Sequence, residues 1–319
     1  MIFPRPQLKS GCPQWIFVDK PRLEVENVDK GKSKMKKGTG QIQFGTGENE
    51  LGTEEIRKEH VPNVPNAPSI PARRRIRLVI AYDGTDYCGW QIQPNGITVE
   101  EVLNKVLSRL TGEEIHVIGA SRTDSGVHAL GNVAVFDTSC SIPPERMSYA
   151  LNQKLPEDIV IVKSEEVPPD WHPRYRDVVI KTYEYHIYNA PVPDPLRRRT
   201  STFVSFPLDV DKMREGAAYL RGEHDFASFC NVRTNVEDTV RTVTDLQIER
   251  EGPEITIRIT GNGFLYNMVR IIAGTLIRVG RGFYEPERVK EILEAKERTE
   301  AGVTAPPNGL VLVGIDYGE

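Results

Sequence analysis

Two rhythms of apolar residues run along the chain, and the switches between them mark out its elements. The run Ile76-Arg-Leu-Val-Ile-Ala-Tyr82 predicts a strand, ended by Asp83-Gly84. Further on, Val99, Val102, Leu103, Val106, Leu107 and Leu110 fall on one face of a helix. Thr98 stands at its N-cap with Glu101 three residues on, a capping box, and Gly112 can end the last turn. Ile115–Gly119 and Asn132–Phe136 predict strands, Pro143–Leu155 a helix and Ile159–Val167 a strand. The order β-α-β-β-α-β is the ferredoxin-like pattern, also that of RNA-recognition modules.

A second set of elements follows in similar style. Val178–Tyr188 predicts a strand with alternating Thr and Tyr, and Val210–Leu220 an amphipathic helix. Val243–Glu249 and Glu254–Thr260 predict a hairpin turned at Glu251-Gly252-Pro253, with Ile255, Ile257 and Ile259 on its buried face. Leu265–Val279 predicts an apolar helix, Pro286–Ala295 a charged one and Leu310–Tyr317 a last strand. The expected class is α/β (α+β), two ferredoxin-like units with a largely antiparallel sheet.

Residues 1–73 break the pattern. From Lys30 to Pro71 the chain is rich in Gly, Lys, Glu, Asn and Pro, with a proline every three residues over Val61–Pro71. Too little apolar surface is available there to offset the entropy of ordering, so a disordered tail and linker is expected. The division expected is therefore tail over 1–73, one α/β domain over 74–170 and a second over 171–319.

Composition adds limits more than direction. With 39% apolar and 27% charged residues the chain reads as a globular protein, and its formal charge of −4 gives no global pull towards nucleic acid. Basic residues are nonetheless dense at Lys30–Lys37, Arg73–Arg77 and Arg197–Arg199. The four cysteines, Cys12, Cys88, Cys140 and Cys230, are scattered without metal-ligand spacing, and reduced thiols in a cytoplasmic protein are expected. No stretch approaches the roughly 20 apolar residues of a membrane span; the first residues, with Pro4, Pro6 and Lys9, do not resemble a signal peptide, and the sequence shows no phosphate-binding loop or dinucleotide fingerprint. No cofactor and no metal are expected.

Four segments could carry chemistry. Ala120-Ser-Arg-Thr-Asp-Ser-Gly-Val-His-Ala129 sets Arg122 and Asp124 in a turn between two apolar strands. An aspartate in such a turn is most often an Asx-turn or a cap, yet loops on a rigid sheet are also where catalytic groups gather. Lys181–Asn189 places Tyr183 and Tyr185 on one strand face, which suits either core packing or stacking on a nucleobase. Arg270 sits in an otherwise apolar helix, where its guanidinium must snorkel outward or meet a buried partner; Asp124 is one candidate. The fourth, Ala305–Tyr317, is by itself only a Pro/Gly turn entering a strand.

Taken in this order, the segments resemble the TruA family of pseudouridine synthases. The family motif G-R-T-D-x-G-V-H-A is similar to Ser121–Ala129, with Ser121 in place of the usual glycine. Tyr82–Gln91 resembles the family's Y-D-G-x-x-Y-x-G-W-Q, and Tyr183, the G-F-L-x-x-M-V-R run ending at Arg270 and the final strand also match, with Ile315 for a common valine. The resemblance covers about Arg74 to Tyr317. It implies a pseudouridine synthase fold, Asp124 as nucleophile, Tyr183 packed on the uracil with a part in proton removal, and Arg270 paired with Asp124. It implies Arg122 on the RNA, a tRNA substrate modified at positions 38–40 of the anticodon arm, no cofactor, and a homodimer whose cleft Arg197, Arg198 and Arg199 could line. The competing expectation is an RNA-binding protein of the same fold without catalysis.

Overall fold

The computed structural model describes residues 73–231 and 238–318; the expected tail over 1–73 lies almost wholly outside them. The N-terminal half runs β1 (Arg74–Tyr82), α1 (Val99–Thr111), β2 (Ile118–Gly119), β3 (His128–Thr138), α2 (Met147–Asn152) and β4 (Ile159–Val167). The C-terminal half runs β5 (Ile180–Asn189), β6 (Thr202–Val204), α3 (Val210–Ala218), β7 (Gly222–Asp225), β8 (Val240–Glu251), β9 (Glu254–Gly261), α4 (Met268–Gly280), α5 (Arg288–Ala295) and β10 (Leu310–Asp316).

The ten strands of the described residues belong to one sheet, whose main path is β4-β1-β3-β10-β5-β9-β8-β7, with β2 on β3 and β6 on β5. Each half contains the ferredoxin-like strand order: β4-β1-β3-β2 in the first, β10-β5-β9-β8 in the second. Pairing is antiparallel except for β10 with β3 and β6 with β5. The expected α/β class with a largely antiparallel sheet is thus the observed one.

The alternation read from the sequence sets the two sheet faces. Ile76, Leu78 and Ile80 on β1 are fully buried and share the main core with Leu103 and Leu107 of α1. The positions between point the other way, where Arg75 binds Asp137 at 2.7 Å and Arg77 binds Glu165 at 2.7 Å beneath Trp171. Much of the Arg73–Arg77 charge is therefore neutralised within the sheet.

Several boundaries moved for identifiable reasons. The strand expected over Ile115–Gly119 keeps only its last two residues, and α1 takes two of the other donors: Ile115 N–H bonds Ser108 Oγ and Val117 N–H bonds Asn104 Oδ1, both at 2.9 Å. The helix expected over Pro143–Leu155 divides into a 3₁₀ turn at Pro144–Arg146 and the short α2. The helix expected from Leu265 begins at Met268, since Asn267 adopts φ 61°. Strands β6 and β7 were not anticipated. Cys140 is a free thiol, whereas Cys88 is disulfide-bonded, against the expectation of reduced thiols throughout. Spacing along the chain carries no information about which cysteines approach in space.

Candidate active site

The turn from Ala120 to Val127 occupies a break in the pairing of β3. One edge of β3 is covered by β1. The other carries β2 opposite Ala134 and Val135, and β10 opposite His128 and Ala129. The chain leaves β2 at Gly119 and re-enters the sheet at His128, so the turn projects where that edge passes from one partner to the other.

Hydrogen bonds hold the turn from both sides. Thr123 Oγ1 lies 2.7 Å from the Tyr82 hydroxyl, and Trp90 N–H donates to Thr123 O at 3.0 Å. Gly126 N–H and Ser125 Oγ both donate to Tyr87 O, at 3.3 and 3.2 Å. Asn132, fully buried, donates from Nδ2 to Ser121 O at 3.0 Å and accepts Ser121 N–H at 3.3 Å. Gly89, at φ 83°, runs so close that a Cβ there would stand 2.6 Å from Thr123 O.

Within this frame Asp124 meets Arg270. Nη1 of Arg270 lies 3.4 Å from Asp124 Oδ2, and the two side chains are only 15% and 19% exposed. Burial pushes the Asp124 carboxyl above its ordinary range, and the Arg270 charge draws it partly back. Arg270 divides its donors: Nη1 also reaches Asn267 Oδ1 at 2.8 Å, and Nε reaches Ala305 O at 2.7 Å. Ala305 N–H in turn bonds Arg270 O at 3.1 Å. The Pro/Gly turn that carried no meaning alone thus anchors the arginine, and Pro307 packs beside Gly126.

Tyr183 arrives from β5. It is buried, edge-on to Phe264 at 5.2 Å, with its hydroxyl 2.8 Å from Ser121 Oγ. Burial raises its phenol to about 12, so it stays protonated at neutral pH. The serine that replaces the usual glycine therefore supplies this tyrosine's partner. Tyr185 is also buried and bonds Pro306 O at 2.9 Å, a packing role.

The remaining expected residues stand apart from Asp124 or reach outward. Arg122 is exposed on the same turn. Arg197 binds Asp194 and Glu254 and lies over Tyr188, while Arg199 binds Asp86 at 3.1 Å and Asp83 at 3.5 Å. Of these three arginines, Arg198 alone has no carboxylate partner among the described residues; it donates to Pro195 O. Sequence reasoning passed over three residues. Tyr82 and Asn132 hold the turn; an amide standing in the apolar run Asn132–Phe136 was the available signal. Tyr266 is 41% exposed, and its phenol is raised by partial burial and by the Asp124 charge. Among the described residues no group of His, Cys, Asp or Glu is arranged to hold a metal, and no helix is long and apolar enough to cross a membrane.

The sequence profile of the tRNA pseudouridine synthase family matches residues 78–176 and 217–318, which places the chain among the isomerases that convert uridine to pseudouridine. A tRNA pseudouridine synthase A of Brevibacillus brevis is 51% identical over 244 residues, spanning 76% of this chain and all of that protein. One from a Thermoanaerobacter species is 49% identical with the same coverage. The chain belongs to the tRNA pseudouridine synthase A family. Among solved structures, an archaeal box H/ACA Nop10–Cbf5 complex aligns over 75% of this chain and 45% of that one, at 12% identity and a TM-score of 0.29.

Proposed function

We propose that the protein isomerises uridines at positions 38–40 of the tRNA anticodon arm, with Asp124 as the nucleophile. The observation that carries this reading is the buried contact of Asp124 with Arg270, residues from opposite halves of the chain, beside Tyr183. Attack by the carboxylate lets the N1–C1′ bond break. The detached uracil then turns, its C5 bonds C1′ and displaces the Asp124 carboxylate, and the proton lost from C5 is matched by one gained at N1, so the product is an isomer of the substrate. The base must leave its stack to reach the turn, at a cost of a few kcal/mol that aromatic and phosphate contacts offset.

Arg270 favours the charged form of Asp124 against the desolvation that burial imposes. Tyr183, held protonated and bonded to Ser121, suits packing against the uracil better than accepting its proton. Arg122, exposed on the same turn, reaches the RNA. The reading includes a homodimer, with Arg198 the member of Arg197–Arg199 best placed to meet RNA, since its neighbours already bind carboxylates. Sedimentation of the full chain at micromolar concentration checks the dimer.

The decisive experiment maps pseudouridine in tRNA treated with wild-type protein and with Asp124→Asn. Product at positions 38–40 should form with the wild type and fall by roughly 10⁴-fold or more in the variant. Equal activity from the two would end the nucleophile assignment, and product elsewhere would end the substrate assignment.

A further inference from the structure

Three cations surround the start of the Asp124 turn with no acid bound to them among the described residues. Arg174 Nε donates to Gly119 O at 2.7 Å, and Lys181 Nζ donates to Ala120 O at 3.2 Å. Arg122 projects two residues further on. Lys181 lies two positions before Tyr183 on β5, so the two share a strand face and reach the same stretch of chain. Among the described residues none of the three cations makes an ion pair, whereas Arg75, Arg77, Arg197, Arg199 and Arg270 all do.

This arrangement is unfavourable as it stands. The charge of Arg174 acts against Lys181, and that of Arg122 against Arg174. Burial and Arg174 together bring the lysine down to about 8. Tyr175 and, after it, Glu100 favour the Arg174 charge, and Glu100 already accepts Ile92 N–H at 2.8 Å. Clamping two carbonyls does not require three like charges, since neutral donors would do it without repulsion. An arriving anion would relieve the repulsion and use the free donors of Lys181 and Arg174.

The same segment presents aromatic surface. Tyr175 is 79% exposed and stacks on His172, ring centroids 4.4 Å apart and planes 19° from parallel. Burial and the charges of Arg174 and Arg75 lower His172, which favours a neutral ring. An exposed ring beside these cations suits a single nucleic-acid strand better than free phosphate.

We propose that Arg122, Arg174 and Lys181 bind a backbone phosphate of the RNA strand entering the Asp124 site, with Tyr175 stacking on a neighbouring base. The inference rests on the RNA-modifying reading above and names how that RNA is gripped.

The test measures binding of the full chain to an anticodon-arm RNA between about 50 and 200 mM salt. Lys181→Met and Arg122→Gln should each flatten the slope of log affinity against log salt by about 0.7 to 0.9, the share of one phosphate contact. Tyr175→Ala, at an exposed position that cannot unfold the core, should weaken binding roughly tenfold and leave the slope intact. Single methylphosphonate linkages are then placed on either side of the target uridine. At one position the neutral linkage should weaken wild-type binding about tenfold and leave Lys181→Met nearly unaffected. An unchanged salt slope in both cation variants, or a neutral-linkage penalty of equal size in wild type and variant, would overturn the phosphate site. Should Lys181→Met fail to fold, Arg122→Gln supplies the same comparison. Failure of the wild type to bind or modify the arm would instead count against the proposed function.

Discussion

Asp124 is held where its charge is costly. Its carboxyl is raised by burial more than Arg270 lowers it, so the ionised form is disfavoured in the fold relative to the unfolded chain. Such a group weakens the fold fully above its raised pKa, and the penalty disappears as pH falls to the unfolded value of about 3.9. Asp124→Asn should therefore be at least as stable as wild type at pH 7, and any advantage should shrink on acidification; paired melting curves from pH 7 to 4 check this. A clear loss of stability at pH 7 would mean that the Arg270 contact outweighs desolvation. Ser121 gives a second residue-scale test. Removing its hydroxyl in Ser121→Gly strands the Tyr183 phenol, at about 1–3 kcal/mol, so the melting temperature should fall by several degrees. Pseudouridine formation should persist, as the glycine is the family's usual residue there. The sequence made Asp124 and Arg270 candidates because a charged turn residue and a charged residue in an apolar helix each need explaining. It left Asn132 unnoticed because its one signal, an amide at the head of an apolar run, breaks no periodicity and does not say which backbone groups it meets.

At the scale of elements, the strongly periodic segments were legible and the short ones were not. Helix α1 occupies the predicted span with Thr98 capping Glu101 N–H and Gly112 at φ 74°, since cap, stripe and stop all agree. Strand β2 was overestimated, and α1 side chains take two donors of the expected span, an arrangement that no local pattern encodes. The Asp124 turn depends on such cross-element contact, and the loop before α1 is the clearest case. Gly89→Ala would place a methyl against Thr123 O at a φ that alanine resists. Displacing the turn by about an ångström should lower kcat on the order of 10²-fold. Single-turnover assays on the folded variant measure the effect, and an unchanged rate would show that the turn tolerates the shift. Arg270→Lys tests the other side: a lysine keeps the charge but cannot serve Asp124, Asn267 and Ala305 together, so kcat should fall by at least tenfold.

Across the whole molecule, the last strand joins the halves. Leu312 on β10 lies opposite both Ala129 of β3 and Tyr183 of β5, and is fully buried. Leu312→Ala should cost about 2–5 kcal/mol in denaturant unfolding and reduce activity under conditions where the variant remains folded. Full activity would mean that the join between halves does not set the site's geometry. The chain's own pattern of apolar residues determined the two ferredoxin-like units, their helices and the turn that bears Asp124, because periodicity and capping act over a few residues. Family motifs in that pattern also identified the chemistry. Only the tertiary structure decided that the final strand enters between the halves and brings Arg270 to Asp124. It alone gave Tyr183 a hydroxyl partner and gathered Arg122, Arg174 and Lys181. These outcomes depend on which distant backbone edges pair and which buried charges then find a partner, and neither is written in local spacing.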